Sequence, residues 1–170
     1  MLRADEAIEA AESILKKCET RNADKIAREL GITVIPMNFK QQKGAYKVIE
    51  RNRFIFIKND LHPVMHSIVM LHEIGHDTLH RKESVKAGGF QEFNIFDMQE
   101  RRMEYEANVF AAQVSLPDDD VLDLIYKGFD VGQIARALRS DINLVAIKVS
   151  QLISRGYQFR GTDYNIKFLK

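Results

Sequence analysis

The chain has 170 residues, of which 45% are hydrophobic and 29% charged, a composition typical of one soluble globular domain. Its 25 basic and 24 acidic residues leave a net charge of +1, so the overall charge gives no drive toward nucleic acid or an anionic membrane. No stretch approaches the roughly 18 apolar residues of a membrane span, and a lone Cys18 excludes an internal disulfide. We therefore expect a cytoplasmic protein that acts without a membrane.

The first half of the chain is predicted to contain helices around a short sheet. Apolar residues recur at helical spacing in the first two segments and alternate or cluster in the next three. Pro36 restricts its part of the first strand to a sheet edge or a strand end. The predicted elements are helices over 5–18 and 22–30, strands over 32–39, 45–49 and 54–58, and a long helix from about 60 to 80.

The second half is predicted to be mainly helical. Residues 82–97 show no strong period, although FQEFNIF within them could add a strand. A helix then begins at Asp97 or Met98 and ends before Pro117, and three more cover about 118–128, 131–139 and 142–155. The break at Pro117 predicts a core over 1–117 and a helical extension over 118–170 that packs on it.

The long helix carries an HExxH motif, His72-Glu73-Ile74-Gly75-His76. Histidines four residues apart share a helix face, with Cβ atoms roughly 6 Å apart, and both can bind one ion at about 2.0–2.1 Å. Glu73 projects beside the same site, where it can take a proton from the attacking water. The alternative is a solvated helix face with two histidines, but the pattern favours a metal site with Glu73 as the catalytic base.

His80 is a poor third ligand. It follows His72 by eight residues, or about 12 Å along a helix, and a straight helix cannot hold one ion at both ends of that span. We expect His80 to make a hydrogen bond to a metal-binding side chain, to face the substrate or to lie on the surface. His62 and His66 lie off the metal face and are expected to be structural or exposed.

A carboxylate on the next long helix is a better third ligand. Glu104 and Asn108 are four residues apart on one face; Glu104 would complete a His2Glu site that leaves one position for water. Asn108 can accept a hydrogen bond from the far nitrogen of a ligating histidine. Glu106 competes for the ligand role, but it points to another face and is expected to form an ion pair instead. Zn2+ is the expected metal, with Mn2+ also possible.

Two segments together resemble a known family. HEIGH, followed about thirty residues later by ExEANxFAA and then Leu116-Pro117, is similar to the ImmA/IrrE metallopeptidases of bacteria and phages. The resemblance covers roughly residues 20–117. Ser115 departs from the LLMP ending that is usual in the family, and Leu71 stands where an alanine often precedes the first histidine. These departures affect packing and leave the proposed ligands intact.

The resemblance implies a fold, a reaction and a substrate. It implies an α+β fold, with a small antiparallel sheet beside a zincin-type active-site helix and a helical C-terminal part. It also implies a gluzincin-like zinc endopeptidase that cleaves a helix-turn-helix repressor at one site. Such an anti-repressor would derepress phage, mobile-element or stress genes.

Two other functions remain open on the sequence. Residues 131–155 have the look of a helix-turn-helix, but the second helix and its end carry only Lys148 and Arg155 as basic residues, so direct DNA binding is not expected. A module that only sequesters a repressor would not need Glu73. The group that stabilises the oxyanion is not identified by sequence, and Tyr46, His80, Tyr105 and Tyr126 are the candidates.

Overall fold

A computed structural model describes residues 3–87, 90–92 and 102–159. Within them, two helices precede the first three strands along the chain, and six helices and a fourth strand follow. The predicted α+β fold is confirmed. The helices are α1 (Arg3–Cys18), α2 (Ala23–Glu29), α3 (Pro63–Leu79), α4 (Arg81–Ala87), α5 (Arg102–Ser115), α6 (Asp118–Tyr126), α7 (Val131–Ala137) and α8 (Ile142–Ser154). The strands are β1 (Thr33–Met37), β2 (Gly44–Ile49), β3 (Asn52–Lys58) and β4 (Phe90–Glu92).

The sheet is mixed rather than wholly antiparallel. Its order is β1-β3-β2-β4, with β2 antiparallel to β3 and β4, and β1 parallel to β3. β2 runs opposite to β1 but is not its neighbour in the sheet. β3 lies between them, antiparallel to β2 and parallel to β1. Pro36 lies on an edge strand, where a missing N–H does not interrupt the sheet.

The β2–β3 turn is tighter than predicted. Ile49 pairs directly with Asn52, so the loop contains only Glu50 and Arg51, both with positive φ (49° and 67°). Two successive positive φ values fit the twist of a two-residue hairpin, although glycine and asparagine are the usual residues there. The pattern of strand residues predicted the hairpin but not this unusual turn chemistry.

The centre of the molecule is the contact between α3 and α5. Gly75 lies against Ala107, and a Cβ added to Gly75 would lie only 3.1 Å from the Cα of Ala107. The missing side chain therefore lets two helices approach closely, as it does wherever backbones meet. α1 and α8 also pack on α5. Ala7 and Ala11 of α1 and Leu144 and Leu152 of α8 are fully buried.

A buried polar network fastens the last helices to α5. Lys148 of α8 is 1% exposed, and its ammonium donates to Gln113 of α5 and to Asp118 at the start of α6. Arg155 pairs with the other oxygen of Asp118. The predicted division at residue 117 stays a prediction, and the structure packs α8 directly on α5 and α7 on α8.

Several predicted boundaries change. α4 was not predicted, because a helix of seven residues is too short to show a clear period. The strand expected in FQEFNIF is present as β4, while residues 93–101, including the predicted start of α5, lie outside the described residues. Pro117 is the N-cap of α6, and Asp118 to Asp120 occupy its first turn, where carboxylates favour the helix dipole. In the described part of the chain, no helix is long and apolar enough to cross a membrane.

Candidate metal centre

α3 brings the two histidines of the HExxH motif together. The Nε2 atoms of His72 and His76 lie 3.1 Å apart, and both side chains are buried. Pro63 starts the helix, and the Nδ1 of His62 accepts a hydrogen bond from the Val64 N–H at 3.3 Å. His62 therefore caps the helix, while His66 is half-buried on the same element.

α5 adds Glu104 to the same point. Its Oε2 lies 3.2 Å from His72 Nε2 and 3.5 Å from His76 Nε2. Among the described residues, these three form the cluster of potential metal ligands, with all ligand atoms within 4.8 Å of one another. The close contact at Gly75 is what lets a side chain from α5 reach the histidines of α3.

The spacing of these atoms suits a tetrahedral ion. Ligands about 2.05 Å from the centre of a tetrahedron lie about 3.3 Å from one another, and the three observed separations are 3.1, 3.2 and 3.5 Å. Two imidazoles and one carboxylate are also a donor set that catalytic zinc uses. The residues present therefore fit a Zn2+ ion.

Asn108 orients the first histidine. Its Oδ1 lies 2.9 Å from the Nδ1 of His72, in the buried contact between α3 and α5. Because an amide oxygen can only accept, the proton of His72 lies on Nδ1 and the lone pair lies on Nε2. The structure thus places Asn108 where the sequence predicted a partner for a ligating histidine.

The second histidine is connected differently. The Nδ1 of His76 lies 3.2 Å from the Nδ1 of His80, and the Nε2 of His80 lies 2.9 Å from Oε2 of Glu106. Arg102 donates to the other oxygen of Glu106 at 2.6 Å. His80 is 4% exposed and is not a surface residue. Sequence reasoning predicted the ion pair of Glu106 but missed its bond to His80.

Glu73 is buried beside the ligands. It is 0% exposed, and no described residue makes a hydrogen bond of good geometry to either carboxylate oxygen. Burial, followed by the negative charge of Glu104, raises its pKa well above the usual value, although the Tyr46 backbone N–H acts in the opposite direction. Burial also lowers the pKa of His76 to about 4. The site therefore holds a neutral imidazole and a carboxyl group that readily takes up a proton.

Asp77, the residue after the motif, ties the sheet to α3. The Tyr46 hydroxyl of β2 donates to one oxygen at 2.7 Å, and Arg53 of β3 and Arg81 donate to the other at 3.0 and 2.9 Å. Asp77 is 1% exposed, so these donors satisfy a carboxylate that burial would otherwise destabilise. An aspartate immediately after the second histidine was the available sequence signal for this contact.

Three of the four oxyanion candidates are hydrogen-bonded elsewhere or exposed. Tyr46 is committed to Asp77. The Tyr105 hydroxyl accepts a hydrogen bond from Gln151 of α8 at 2.5 Å. Tyr126 is 63% exposed on α6. His80 contacts a proposed ligand, with its Nδ1 3.2 Å from that of His76.

A cavity of about 180 Å³ lies behind His80 rather than over the proposed ligands. It is lined by Glu6, Leu79, His80, Glu83, Arg102, Met103 and Glu106. The cavity thus meets the outer end of the His80–Glu106 pair, while His72, Glu73 and His76 are fully buried.

α8, the second helix of the candidate helix-turn-helix, does not present a basic face. Lys148 is the one basic residue of α8, and it is buried against Gln113 and Asp118. Arg155, which follows α8, pairs with Asp118. A helix that reads DNA carries its basic residues outward, so the arrangement favours packing on α5 over a role in DNA recognition.

Two comparisons relate this chain to known proteins. Residues 27–150 match a sequence model of the family described as Peptidase_M78, IrrE N-terminal-like domain; the matched region contains the HExxH motif and Glu104. A protein of Bacillus phage phi105, named Uncharacterized immunity region protein 2, is 34% identical over 110 residues. That alignment covers 64% of this chain and 67% of the phage protein.

Proposed function

We propose that this chain, which belongs to the Peptidase_M78 family of IrrE N-terminal-like domains, is a zinc-dependent endopeptidase that cleaves one partner protein. The observation that carries the proposal is the buried convergence of His72, His76 and Glu104. The carboxyl group of Glu73 is buried close to Glu104, and no described residue makes a hydrogen bond of good geometry to either of its oxygens. A carboxyl group without a strong structural hydrogen bond remains available to exchange a proton, as a catalytic base must.

His72, His76 and Glu104 would hold the metal, and Mn2+ also suits this donor set. Bound there, Zn2+ would supply a Lewis acid that polarises the scissile carbonyl and acidifies water. Asn108 and His80 would hold the two imidazoles in orientation, because each contacts the Nδ1 of one histidine.

Glu73 would move the proton during hydrolysis. As the oxygen of water bonds to the carbonyl carbon, the Glu73 carboxylate accepts a proton from that water. The proton then passes to the peptide nitrogen as the C–N bond breaks, leaving a carboxylic acid and an amine. A raised pKa favours this second transfer, because the group holds the proton until the leaving nitrogen needs it.

The proposed substrate is a helix-turn-helix repressor. The support is the family membership and the name of the phage relative, which places that relative in an immunity region. The proposed chain of events is that cleavage inactivates the repressor and derepresses phage or mobile-element genes.

The test is incubation with the helix-turn-helix protein encoded next to this gene, read by intact-mass spectrometry. The wild type should yield two fragments whose masses sum to the repressor plus one water, and a chelator should prevent this. Glu73→Gln should retain zinc and cleave nothing, while Glu83→Gln, which changes an exposed glutamate, should behave as wild type. Binding without cleavage would instead support a sequestering module, and cleavage by Glu73→Gln at the wild-type rate would refute the mechanism.

A further inference from the structure

One face of α3 lies against β2. Val69, Glu73 and Asp77 follow one another at four-residue intervals on this face, with successive members about 6 Å apart along the helix axis. All three residues are buried. On the strand, Gly44 lies against Val69 and Glu73, and the Tyr46 hydroxyl donates to Asp77 at 2.7 Å. The strand therefore runs along this row of helix residues.

The spacing of the strand matches that of the helix. Residues two apart on a strand point to the same face and lie about 6.6 Å from each other, and four residues of a helix cover about 6 Å. When Tyr46 is held at Asp77, the position two residues earlier on the strand therefore lies one step earlier on the helix, at Glu73. That position is Gly44. A shift of β2 along α3 would break the bond to Asp77 and move Gly44 away from Glu73 at the same time.

Packing rather than hydrogen bonding confines the carboxyl group of Glu73. No described residue makes a hydrogen bond of good geometry to either of its oxygens. A Cβ added to Gly44 would lie 2.6 Å from Glu73 Oε1 and 3.2 Å from Glu73 Cγ, so the backbone of β2 lies directly against this side chain. A movement of β2 would therefore change the space in which the carboxyl group of Glu73 can lie.

We propose that Tyr46 is a positioning residue, because its hydrogen bond to Asp77 fixes the place of β2 along α3 and β2 in turn confines Glu73. The inference rests on the proposed function, in which Glu73 is the catalytic base. Tyr46 is 0% exposed and its hydroxyl donates to Asp77, so it acts through Glu73 and not by contact with a substrate.

The two arginines that also donate to Asp77 do not replace this bond. Arg53 of β3 and Arg81 of α4 meet the other carboxylate oxygen, at 3.0 and 2.9 Å. Arg53 reaches Asp77 through a long side chain with many rotamers, whereas a tyrosine ring turns about only two torsions. The Arg81 side chain is 49% exposed and belongs to no strand. Arg81→Met is therefore the matched control, because it removes a donor from Asp77 without releasing the sheet.

The first measurement uses the full chain without substrate. The Gly44 α-proton that points toward α3 should show a strong nuclear Overhauser effect to a methyl group of Val69, whose Cγ1 would lie 2.6 Å from an added Cβ. This effect should weaken in Tyr46→Phe, which removes only the hydroxyl, and should be unchanged in Arg81→Met. Its absence in the wild type, or equal intensity in Tyr46→Phe and the wild type, would overturn the proposal.

The second measurement is repressor cleavage, with Zn2+ affinity determined on the same samples. A displacement of about 1 Å costs about 100-fold in rate, and Arg53 still limits the movement of the sheet, so kcat of Tyr46→Phe should fall by about 10-fold. KM should stay at the wild-type value, because a base acts only in the chemical step. Zn2+ affinity should also be unchanged. Arg81→Met should cleave at the wild-type rate.

The controls separate positioning from a general structural role. Equal losses of rate in Tyr46→Phe and Arg81→Met would mean that Asp77 needs only its donors, and a parallel loss of Zn2+ would mean that the whole site is disturbed. Either result would overturn the proposal. A wild type that shows the expected Overhauser effects but cleaves no repressor would support the role of Tyr46 in placing β2 and count against the proposed function alone. Repressor cleavage that Tyr46→Phe leaves unchanged would support the proposed function and refute the role of Tyr46.

Discussion

Gly44 of β2 lies against Glu73 and Val69 of the metal helix, and Gly44→Ala should slow catalysis without weakening metal binding. A Cβ added to Gly44 would lie 2.6 Å from Glu73 Oε1 and 2.6 Å from Val69 Cγ1. Non-bonded carbon atoms normally approach to about 3.5–4.0 Å, so one side must move by roughly 1 Å. Pairs with Ile57 and Glu92 hold β2 on both edges, and the end of the Glu73 side chain is the part that can yield.

The expected magnitude follows from that displacement. Moving a catalytic group by about 1 Å costs about 100-fold in rate, so we expect kcat to fall by about that factor. Overpacking costs about 1–3 kcal/mol, and losing a glycine from the unfolded chain returns about 0.4–1 kcal/mol. The free energy of unfolding should therefore fall by only about 1–2 kcal/mol. The three atoms nearest to the added methyl group belong to Glu73 and Val69 and not to a proposed ligand, so Zn2+ affinity should stay within about 3-fold of wild type.

The assay is repressor cleavage under single-turnover conditions, with urea unfolding and Zn2+ competition on the same samples. Gly132→Ala is the matched control, because a Cβ there would meet only side chains, the nearest being Asp130 Oδ1 at 3.3 Å. It should cleave at the wild-type rate. Wild-type cleavage by Gly44→Ala would show that this contact does not position Glu73. Parallel loss of Zn2+ would mean that the movement spreads to the ligands.

Two further predictions concern stability. The first uses metal-free Glu73→Gln, because the raised pKa of Glu73 would change the stability in the opposite direction. The free energy of unfolding of this variant should fall as the pH drops from about 6.5 to about 4. In that range His76 takes up a proton in the unfolded chain but not in the folded protein, where burial lowers its pKa. The slope in urea unfolding should be about 1.4 kcal/mol per pH unit, and a flat profile would contradict the lowered pKa of His76. Lys148→Met should lower the free energy of unfolding by about 2 kcal/mol, because Gln113 and Asp118 lose a buried donor. Its cleavage rate should equal wild type, and a slower rate would show that α8 contributes to catalysis.

The local features of the site followed from the sequence. Helical spacing predicted α3 and α5, and the four-residue offsets placed His72 with His76 and Glu104 with Asn108. These are short-range consequences of 3.6 residues per turn. The family resemblance, read from HEIGH and ExEANxFAA, is confirmed by the match over residues 27–150. The roles of the individual residues remain predictions.

Contacts between distant elements could not be predicted in the same way. The bond between His80 and Glu106 depends on how α3 crosses α5, and the contact at Gly44 depends on which strand lies beside Glu73. Glu104 and Glu106 are two residues apart on α5 and point in different directions. Glu104 contacts His72 within α3, and Glu106 contacts His80 at the C-cap of α3. The offset therefore assigned Glu106 to another face correctly but could not show what that face meets.

The packing also explains why the polar residues of α3 and α5 tolerate burial. Asp77 has three donors, Glu106 has Arg102 and His80, and Asn108 has His72, so each of these buried groups has its hydrogen bonds. Glu73 differs, because no described residue makes a hydrogen bond of good geometry to its carboxyl oxygens, and burial and Glu104 both raise its pKa. A divalent cation between the histidines and Glu104 would offset that negative charge, so binding and folding would support each other. The fold therefore leaves an unfavourable group at the one position where the proposed chemistry uses it.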